Sequence, residues 1–118
     1  PKDNCETRVH QSIATLRNWT DFIYFACQKL KKLNLNYTYL PIGDKIDKLA
    51  NALEAEGSKL EVLSLEGQYI CPEHLTKYIH ILRAKLIALD VSNNQFHFAE
   101  YLALGDKLFT DKLSVLRI

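Results

Sequence analysis

A short pattern of apolar positions recurs along the chain, with apolar residues at its first, fourth, sixth and eleventh positions. Full copies span 30–40, 60–70 and 86–96, and a fourth copy begins at 113 and runs to residue 118. Apolar residues at alternate positions, as at the fourth and sixth, favour a strand with one buried face. Successive copies begin 26–30 residues apart, and a period of this length indicates a repeat architecture.

Between the copies, the apolar spacing changes to the 3.6-residue period of a helix. The predicted inward faces of three helices are Ile46, Leu49, Ala50 and Leu53; Leu75, Tyr78, Ile79 and Leu82; and Phe98, Tyr101, Leu102 and Leu108. In the first helix, Asp44 is the predicted N-cap and Gly57 the predicted end. Pro72 is predicted to begin the second helix. Gly105 is predicted to be a close-packing or kink position in the third helix. Strands alternating with helices predict parallel strands joined by helices.

The pattern L-x-x-L-x-L-x-x-(polar)-x-(apolar) resembles the leucine-rich-repeat family, and the helical connections look most like its ribonuclease-inhibitor-like class. The resemblance covers about residues 30–118 and is strongest over 86–94, which carries the family's asparagine at Asn94. It implies an α/β solenoid with parallel strands on the concave face and helices on the convex face. In the family, the polar side chain faces inward and bonds to the backbone of the bend. Thr38 and Gln68 depart from the usual Asn or Cys, and Gln68 indicates an irregular repeat.

The two ends of the chain differ from the repeats. Helical spacing from Val9 to Leu30 predicts either one helix or two helices broken near 18–21, the second capped by Thr20. Residues 1–29 are therefore predicted as an N-terminal helical cap or degenerate repeat, and 30–118 as three full repeats and a truncated fourth. Because Ile118 lies inside a predicted strand, we expect that the array continues or that self-association or another chain covers this edge.

Composition narrows the function classes. A net charge of +1 gives no basis for expecting nucleic acid or an anionic membrane as partner. The longest apolar run, 22–27, falls far short of the roughly 20 residues of a spanning helix. Three irregularly spaced cysteines predict free thiols in the cytoplasm. N-glycosylation sequons at Asn18 and Asn36 are a weak indication of secretion instead. The absence of methionine suggests a piece of a longer protein or a processed chain.

No residue set predicts catalysis, a metal or a cofactor. His74 and His80 share a predicted helix but lie about 240° apart around it, too far to chelate together, and His10 and His97 lack partners at ligand spacing. No phosphate-binding glycine motif or hydrolase signature is present. Cys71, at a predicted helix N-terminus, is the candidate reactive thiol, although a cysteine without a functional role is the simpler interpretation.

Binding chemistry is predicted on the outward face of the strands, because the residues flanking the inward leucines point away from the core. Stacking the copies gives three columns of candidate partner-binding residues: Lys32, Val62, Ala88 and Val115; Asn34, Ser64, Asp90 and Arg117; and Asn36, Glu66 and Ser92. The first column is apolar over three successive strands, which marks either a partner site or small residues tolerated without function. An aromatic group forms either a core of the N-terminal cap or a docking patch: Trp19, Phe22, Tyr24, Phe25, Tyr37 and Tyr39.

These features lead us to expect a non-enzymatic scaffold that binds a protein partner through its concave sheet. The resemblance implies relatives among immune-sensor repeat domains, ubiquitin-ligase substrate receptors and actin regulators, without choosing between them. One alternative is a regulatory, autoinhibitory or oligomerisation segment of a larger multidomain enzyme or receptor. Another is a small hydrolase or thiol enzyme on an α/β fold.

Overall fold

The computed structural model of this chain describes residues 16–37, 46–109 and 112–118, with side chains from 19 onward. Helices and strands alternate along it. They are α1 (Leu16–Lys29), β1 (Lys32–Asn34), α2 (Ile46–Glu54), β2 (Val62–Ser64), α3 (Pro72–Thr76), α4 (Ile79–Lys85), β3 (Ala88–Asp90), α5 (Phe98–Leu108) and β4 (Val115–Arg117).

The four strands form one sheet in which every neighbouring pair is parallel and the strand order follows the chain order. Leu33, Leu63, Leu89 and Leu116 occupy one row of the register. The helices also contact one another in chain order: α1 with α2, α2 with α4, and α4 with α5. The predicted mixed α/β fold with parallel strands joined by helices is therefore confirmed.

The core lies where the inward leucines of the strands meet the apolar faces of the helices. Leu63 and Leu65 are fully buried, as are their counterparts Leu89 and Val91. In α2 the whole predicted face, Ile46, Leu49, Ala50 and Leu53, is buried. Each leucine side chain that is removed from water stabilises the folded state by about 1.5–3 kcal/mol. The repeated leucine pattern therefore specifies which faces of the strands and helices pack together.

The first three strands each lead into a turn with the same backbone conformation. Tyr37, Gly67 and Asn93 follow β1, β2 and β3 at equivalent positions, and their φ angles are 54°, 69° and 55°. Backbone hydrogen bonds join successive turns, as from Tyr37 N to Glu66 O at 2.9 Å and from Gly67 N to Ser92 O at 3.2 Å. The turns therefore stack one on another in continuation of the sheet.

Inward polar side chains tie each turn to the one before it. Asn94 Oδ1 accepts hydrogen bonds from Gln68 N and Ile70 N, both at 2.9 Å, and Asn94 Nδ2 donates to Leu65 O at 2.9 Å. Gln68 is buried, and its Nε2 donates to Leu35 O in the first turn. Gln68 thus faces inward despite its extra methylene, while Thr38 lies outside the described residues.

The structure decides one alternative that the sequence left open and divides one predicted helix in two. Helix α1 runs without a break through 18–21, so the two-helix alternative and the Thr20 cap are excluded there. The second predicted helix is divided at Lys77–Tyr78, which places His74 in α3 and His80 in α4. Pro72 begins α3 and Gly57 lies in the turn after α2, as predicted.

The predicted inward face of α5 was partly wrong. Phe98 is 75% exposed and Leu102 is 51% exposed, whereas Leu104 and Leu108 are buried. Helix α5 packs against α4, and Tyr101 of the predicted face is partly buried against the core. Gly105 is buried, but a methyl group added there would meet Leu116 and Phe109 at ordinary contact distances of 3.6 and 3.9 Å, so the packing does not require a glycine.

The first copy of the pattern is less buried than the others. Leu30 is 41% exposed, although Leu60, Leu86 and Leu113 at the same position are buried. No described strand precedes β1, so Leu30 has fewer neighbours to pack against. Of the predicted N-terminal helical face, Ile23 and Ala26 are buried, whereas residues 1–15 and the proposed Asp44 cap lie outside the described part.

Candidate functional site

The outward face of the sheet brings together the first predicted column. Lys32 pairs in register with Val62, Val62 with Ala88, and Ala88 with Val115. Val62 and Ala88 are half-buried and Val115 is 51% exposed. Three apolar side chains therefore form a continuous stripe on an open face of the sheet.

A shallow groove of about 160 Å³ follows this stripe. Its lining is Val62, Leu63, Ser64, Ala88, Leu89, Asp90, Val115 and Arg117. The groove is apolar along its floor and has polar and charged groups on the side where the strands end. Such a combination accommodates an apolar side chain of a partner while polar contacts orient it.

The second column lies beside the stripe, with Ser64 between Asn34 and Asp90 and Arg117 next in register. Asp90 Oδ1 accepts hydrogen bonds from Ser92 N at 3.0 Å and Ser92 Oγ at 2.6 Å. Ser64 Oγ, whose one proton is donated to Asn36 Oδ1 at 2.7 Å, lies 3.4 Å from Asp90 Oδ2. The Asp90 carboxylate is therefore held in one orientation before any partner arrives.

The third column is joined to the second by hydrogen bonds. Asn36 Oδ1 accepts from Ser64 Oγ and from Glu66 N, both at 2.7 Å, and Asn34 Oδ1 accepts from Asn36 N at 2.8 Å. Ser92 follows in the next turn. The predicted columns are thus real neighbours, and their polar members form a connected network across three strands.

Two residues that the sequence analysis did not assign to the columns extend this network. Tyr37 Oη donates to Glu66 Oε2 at 2.9 Å, and Asn93 Nδ2 donates to the same oxygen at 2.8 Å and to Tyr37 Oη at 2.9 Å. The hydrogen bond to Glu66 raises the pKa of the Tyr37 phenol, while the one from Asn93 lowers it. The equivalent positions of Tyr37 and Asn93 in the repeat were the signal that could have identified them.

The aromatic group is divided between the core and the surface. Trp19 is fully buried and Phe22 packs against the core, whereas Tyr24, Phe25 and Tyr37 are at least half-exposed. Tyr39 lies outside the described residues. Neither predicted alternative therefore describes the whole group.

The described cysteines occupy different environments. Cys27 is buried in α1, and burial raises the pKa of its thiol to about 11. Cys71 is half-buried at the N-cap position of α3, with its Sγ 3.3 Å from His74 Nδ1. Both are free thiols, while Cys5 and His10 lie outside the described ranges.

No group of three or more His, Cys, Asp or Glu side chains that could hold a metal ion occurs within 16–37, 46–109 and 112–118. No helix in these ranges is both long and apolar enough to cross a membrane.

Comparison of the chain with protein-family models, with curated proteins and with solved structures found no match. The site must therefore be interpreted from its own geometry.

Proposed function

We propose that this chain is a leucine-rich-repeat segment of the ribonuclease-inhibitor-like class, acting in the cytoplasm as a non-enzymatic scaffold that binds a protein partner. In this proposal the four-stranded sheet is the concave face of a solenoid, and the helices form the convex face. The three outward columns, together with Tyr37 and Asn93, are the binding surface.

The repeat assignment is supported by geometry that recurs from copy to copy. The leucine row is in register across four strands, and three turns share a positive φ at the same position. Asn94 and Gln68 both direct carboxamides to the backbone of the preceding turn. Each repeat buries its apolar residues against the next, as repeat proteins require.

The binding function rests mainly on one observation, the apolar stripe Val62–Ala88–Val115 beside oriented polar groups. A half-exposed valine and a groove on an otherwise polar face favour contact with another molecule. Hydrogen bonds fix Asp90 and Glu66 in advance, which reduces the ordering cost of association. Free thiols at Cys27 and Cys71 support the cytoplasmic location.

A matched pair of double variants tests the proposal. Val62→Asp with Val115→Asp introduces two charges into the groove, and Ala84→Asp with Ala103→Asp introduces the same charges at exposed positions of α4 and α5. Partners captured by in-cell crosslinking would be identified by mass spectrometry, purified and measured for direct binding. Circular dichroism and thermal unfolding would establish that both variants are folded.

We expect the groove variant to lose at least tenfold in affinity, because apolar contact at an interface centre dominates binding energy. The helix variant should bind as the unmodified chain does. Equal affinity of both folded variants would reject the sheet face as the binding surface.

A second candidate, an oligomerisation segment of a larger protein, is favoured by apolar side chains at one end of the sheet. Those at least about half-exposed near β4 and α5 are Phe98, Leu102, Phe109, Val115 and Ile118. Sedimentation equilibrium distinguishes this candidate: concentration-dependent dimers abolished by Phe98→Lys would support it, and a monomer at all concentrations would contradict it.

A further inference from the structure

The carbonyl that precedes each turn accepts a hydrogen bond from a side chain that follows it in the chain. In the first turn, Leu35 O accepts from Gln68 Nε2. In the second turn, Leu65 O accepts from Asn94 Nδ2 at 2.9 Å, and Gln68 N donates back to Asn94 Oδ1 at 2.9 Å. The Asn94 carboxamide, from the third turn, thus serves the second turn as both donor and acceptor.

The third turn satisfies the equivalent groups differently. Val91 O corresponds to Leu65 O, and Asn94 N corresponds to Gln68 N. Tyr101 Oη donates to Val91 O at 3.1 Å, and Asn94 N donates to Tyr101 Oη at 2.9 Å. Val91 O also accepts from Asn94 Nδ2 at 2.9 Å, so the phenol supplies the second of its two hydrogen bonds. A single phenol hydroxyl therefore makes the two contacts that a carboxamide makes one turn earlier.

Local structure brings Tyr101 to this place from α5. Glu100 Oε1 accepts a hydrogen bond from His97 N at 2.8 Å and so fixes the start of the helix. The Tyr101 ring stacks on Phe96, with centroids 4.7 Å apart and an interplanar angle of 17°. The phenol is thereby aimed at the turn between Val91 and Asn94.

The match between the phenol and a carboxamide is incomplete. Asn94 Oδ1 also accepts from Ile70 N at 2.9 Å, and Phe96 N is the equivalent donor in the third turn. Within the described ranges, no hydrogen bond is made by Phe96 N. Phe96 is one of the residues that line a cavity of about 400 Å³, together with Ser92, Asn93, Asn94, Phe98, Tyr101 and Ile118.

We propose that the third turn contains a binding site for a primary carboxamide, such as an Asn or Gln side chain, and that Tyr101 closes it. The donors are Asn94 N and Phe96 N, and the acceptor is Val91 O. An Asn or Gln side chain presented by any segment stacked on this turn must displace the Tyr101 hydroxyl.

The first test isolates the hydroxyl. Tyr101→Phe keeps the ring on Phe96 and removes only the oxygen, and Tyr69→Phe is the matched control because Tyr69 is 77% exposed. Amide hydrogen exchange is measured for Asn94 and Gln68 in the same sample. The ratio of the two protections separates a local effect from a general loss of stability.

We expect Tyr101→Phe to lower the protection of Asn94 relative to Gln68 by about tenfold, and Tyr69→Phe to leave the ratio unchanged. An unchanged ratio in Tyr101→Phe would overturn the assignment of the hydroxyl.

The second test opens the site. In Tyr101→Gly, propionamide should shift the amide resonances of Asn94 and Phe96, and butanone, which lacks an N–H donor for Val91 O, should shift them much less. In the unmodified chain neither compound should shift these resonances, because the Tyr101 hydroxyl occupies the site. Equal shifts by both compounds in Tyr101→Gly, shifts by propionamide in the unmodified chain, or no shift in a folded Tyr101→Gly would overturn the carboxamide site.

Discussion

The aromatic ring of Tyr37 lies directly over Gly67, the residue at the same position in the next turn. A methyl group added to Gly67 would overlap Tyr37 Cε1 and Cδ1. Both residues have positive φ, 54° for Tyr37 and 69° for Gly67. The glycine thus serves two purposes, since it tolerates the left-handed conformation and leaves room for the ring that reaches Glu66 and Asn93.

Gly67→Ala is therefore expected to destabilise the protein by about 1–3 kcal/mol. The added Cβ strains the left-handed backbone and displaces the Tyr37 ring, so that the Tyr37 hydrogen bond to Glu66 is lost. Urea unfolding followed by circular dichroism measures the change in the free energy of unfolding.

A double-mutant cycle with Tyr37→Ala separates the two effects. In the Tyr37→Ala background the overlap is absent. The loss in the free energy of unfolding caused by Gly67→Ala should therefore be smaller there than in the unmodified chain, by at least about 0.5 kcal/mol. An identical cost in both backgrounds would show that Tyr37 does not pack on Gly67.

Asn94 holds two successive turns together, so Asn94→Ala is expected to be among the more costly polar substitutions. It leaves Gln68 N and Ile70 N without their acceptor, and we expect a loss of about 3 kcal/mol. Gln95→Ala removes an exposed amide at the adjacent position and should change the free energy of unfolding by less than about 0.5 kcal/mol. Equal losses for the two variants in thermal unfolding would contradict the inward role of Asn94.

The ionisation of Tyr37 reports on the polar network at the end of the strands. Its pKa is raised above the ordinary value of 10.0, chiefly by the hydrogen bond to Glu66. The neutral phenol is thus favoured in the folded state. The contribution of Tyr37 to the stability of the folded state is fully present below about pH 10 and is lost as the pH rises through the raised pKa.

Two variants should move the pKa of Tyr37 in opposite directions. Glu66→Gln removes the charged acceptor and is expected to lower it, whereas Asn93→Gly removes a donor to the phenol oxygen while keeping the turn conformation, and should raise it. NMR titration of the ring carbons resolves Tyr37 from the other tyrosines. Shifts of the same sign in both variants would contradict the hydrogen-bond arrangement.

Burial of Cys27 has consequences for both reactivity and pH dependence. Its pKa is raised from 9.0 to about 11, so the neutral thiol is favoured in the folded state. The contribution to stability is present below about pH 9 and disappears as the pH rises through 11.

Iodoacetamide at pH 8, followed by peptide mass spectrometry, tests the same environment. We expect Cys71, which is half-buried, to be alkylated well before Cys27, since the thiolate is the reactive form and Cys27 becomes accessible only on unfolding. Equal rates for the two thiols in the folded protein would argue against the buried position of Cys27.

The sequence predicted those features that depend on local periodicity. The leucine rows, the outward columns and the inward face of α2 follow from spacings of two and about 3.6 residues, and the structure bears them out. Pro72 at the start of α3 was predicted on similar local grounds.

Other features depend on contacts between distant residues, which spacing does not encode. Tyr101 has the spacing of a core residue in α5, and only the arrangement of the third turn shows that its hydroxyl replaces a carboxamide. The exposure of Phe98 and Leu102 depends on which elements pack beside α5. The Tyr37 network likewise requires three turns to be stacked before its residues meet.

The stacking of the repeats is tested most directly by inter-strand nuclear Overhauser effects across the sheet. We expect the parallel pattern to join Val62 with Ala88 and Leu63 with Leu89, and to continue through Leu33 on one side and Leu116 on the other. An antiparallel pattern, or the absence of contacts between the strands that contain Leu63 and Leu89, would contradict the repeat architecture on which the proposed binding surface depends.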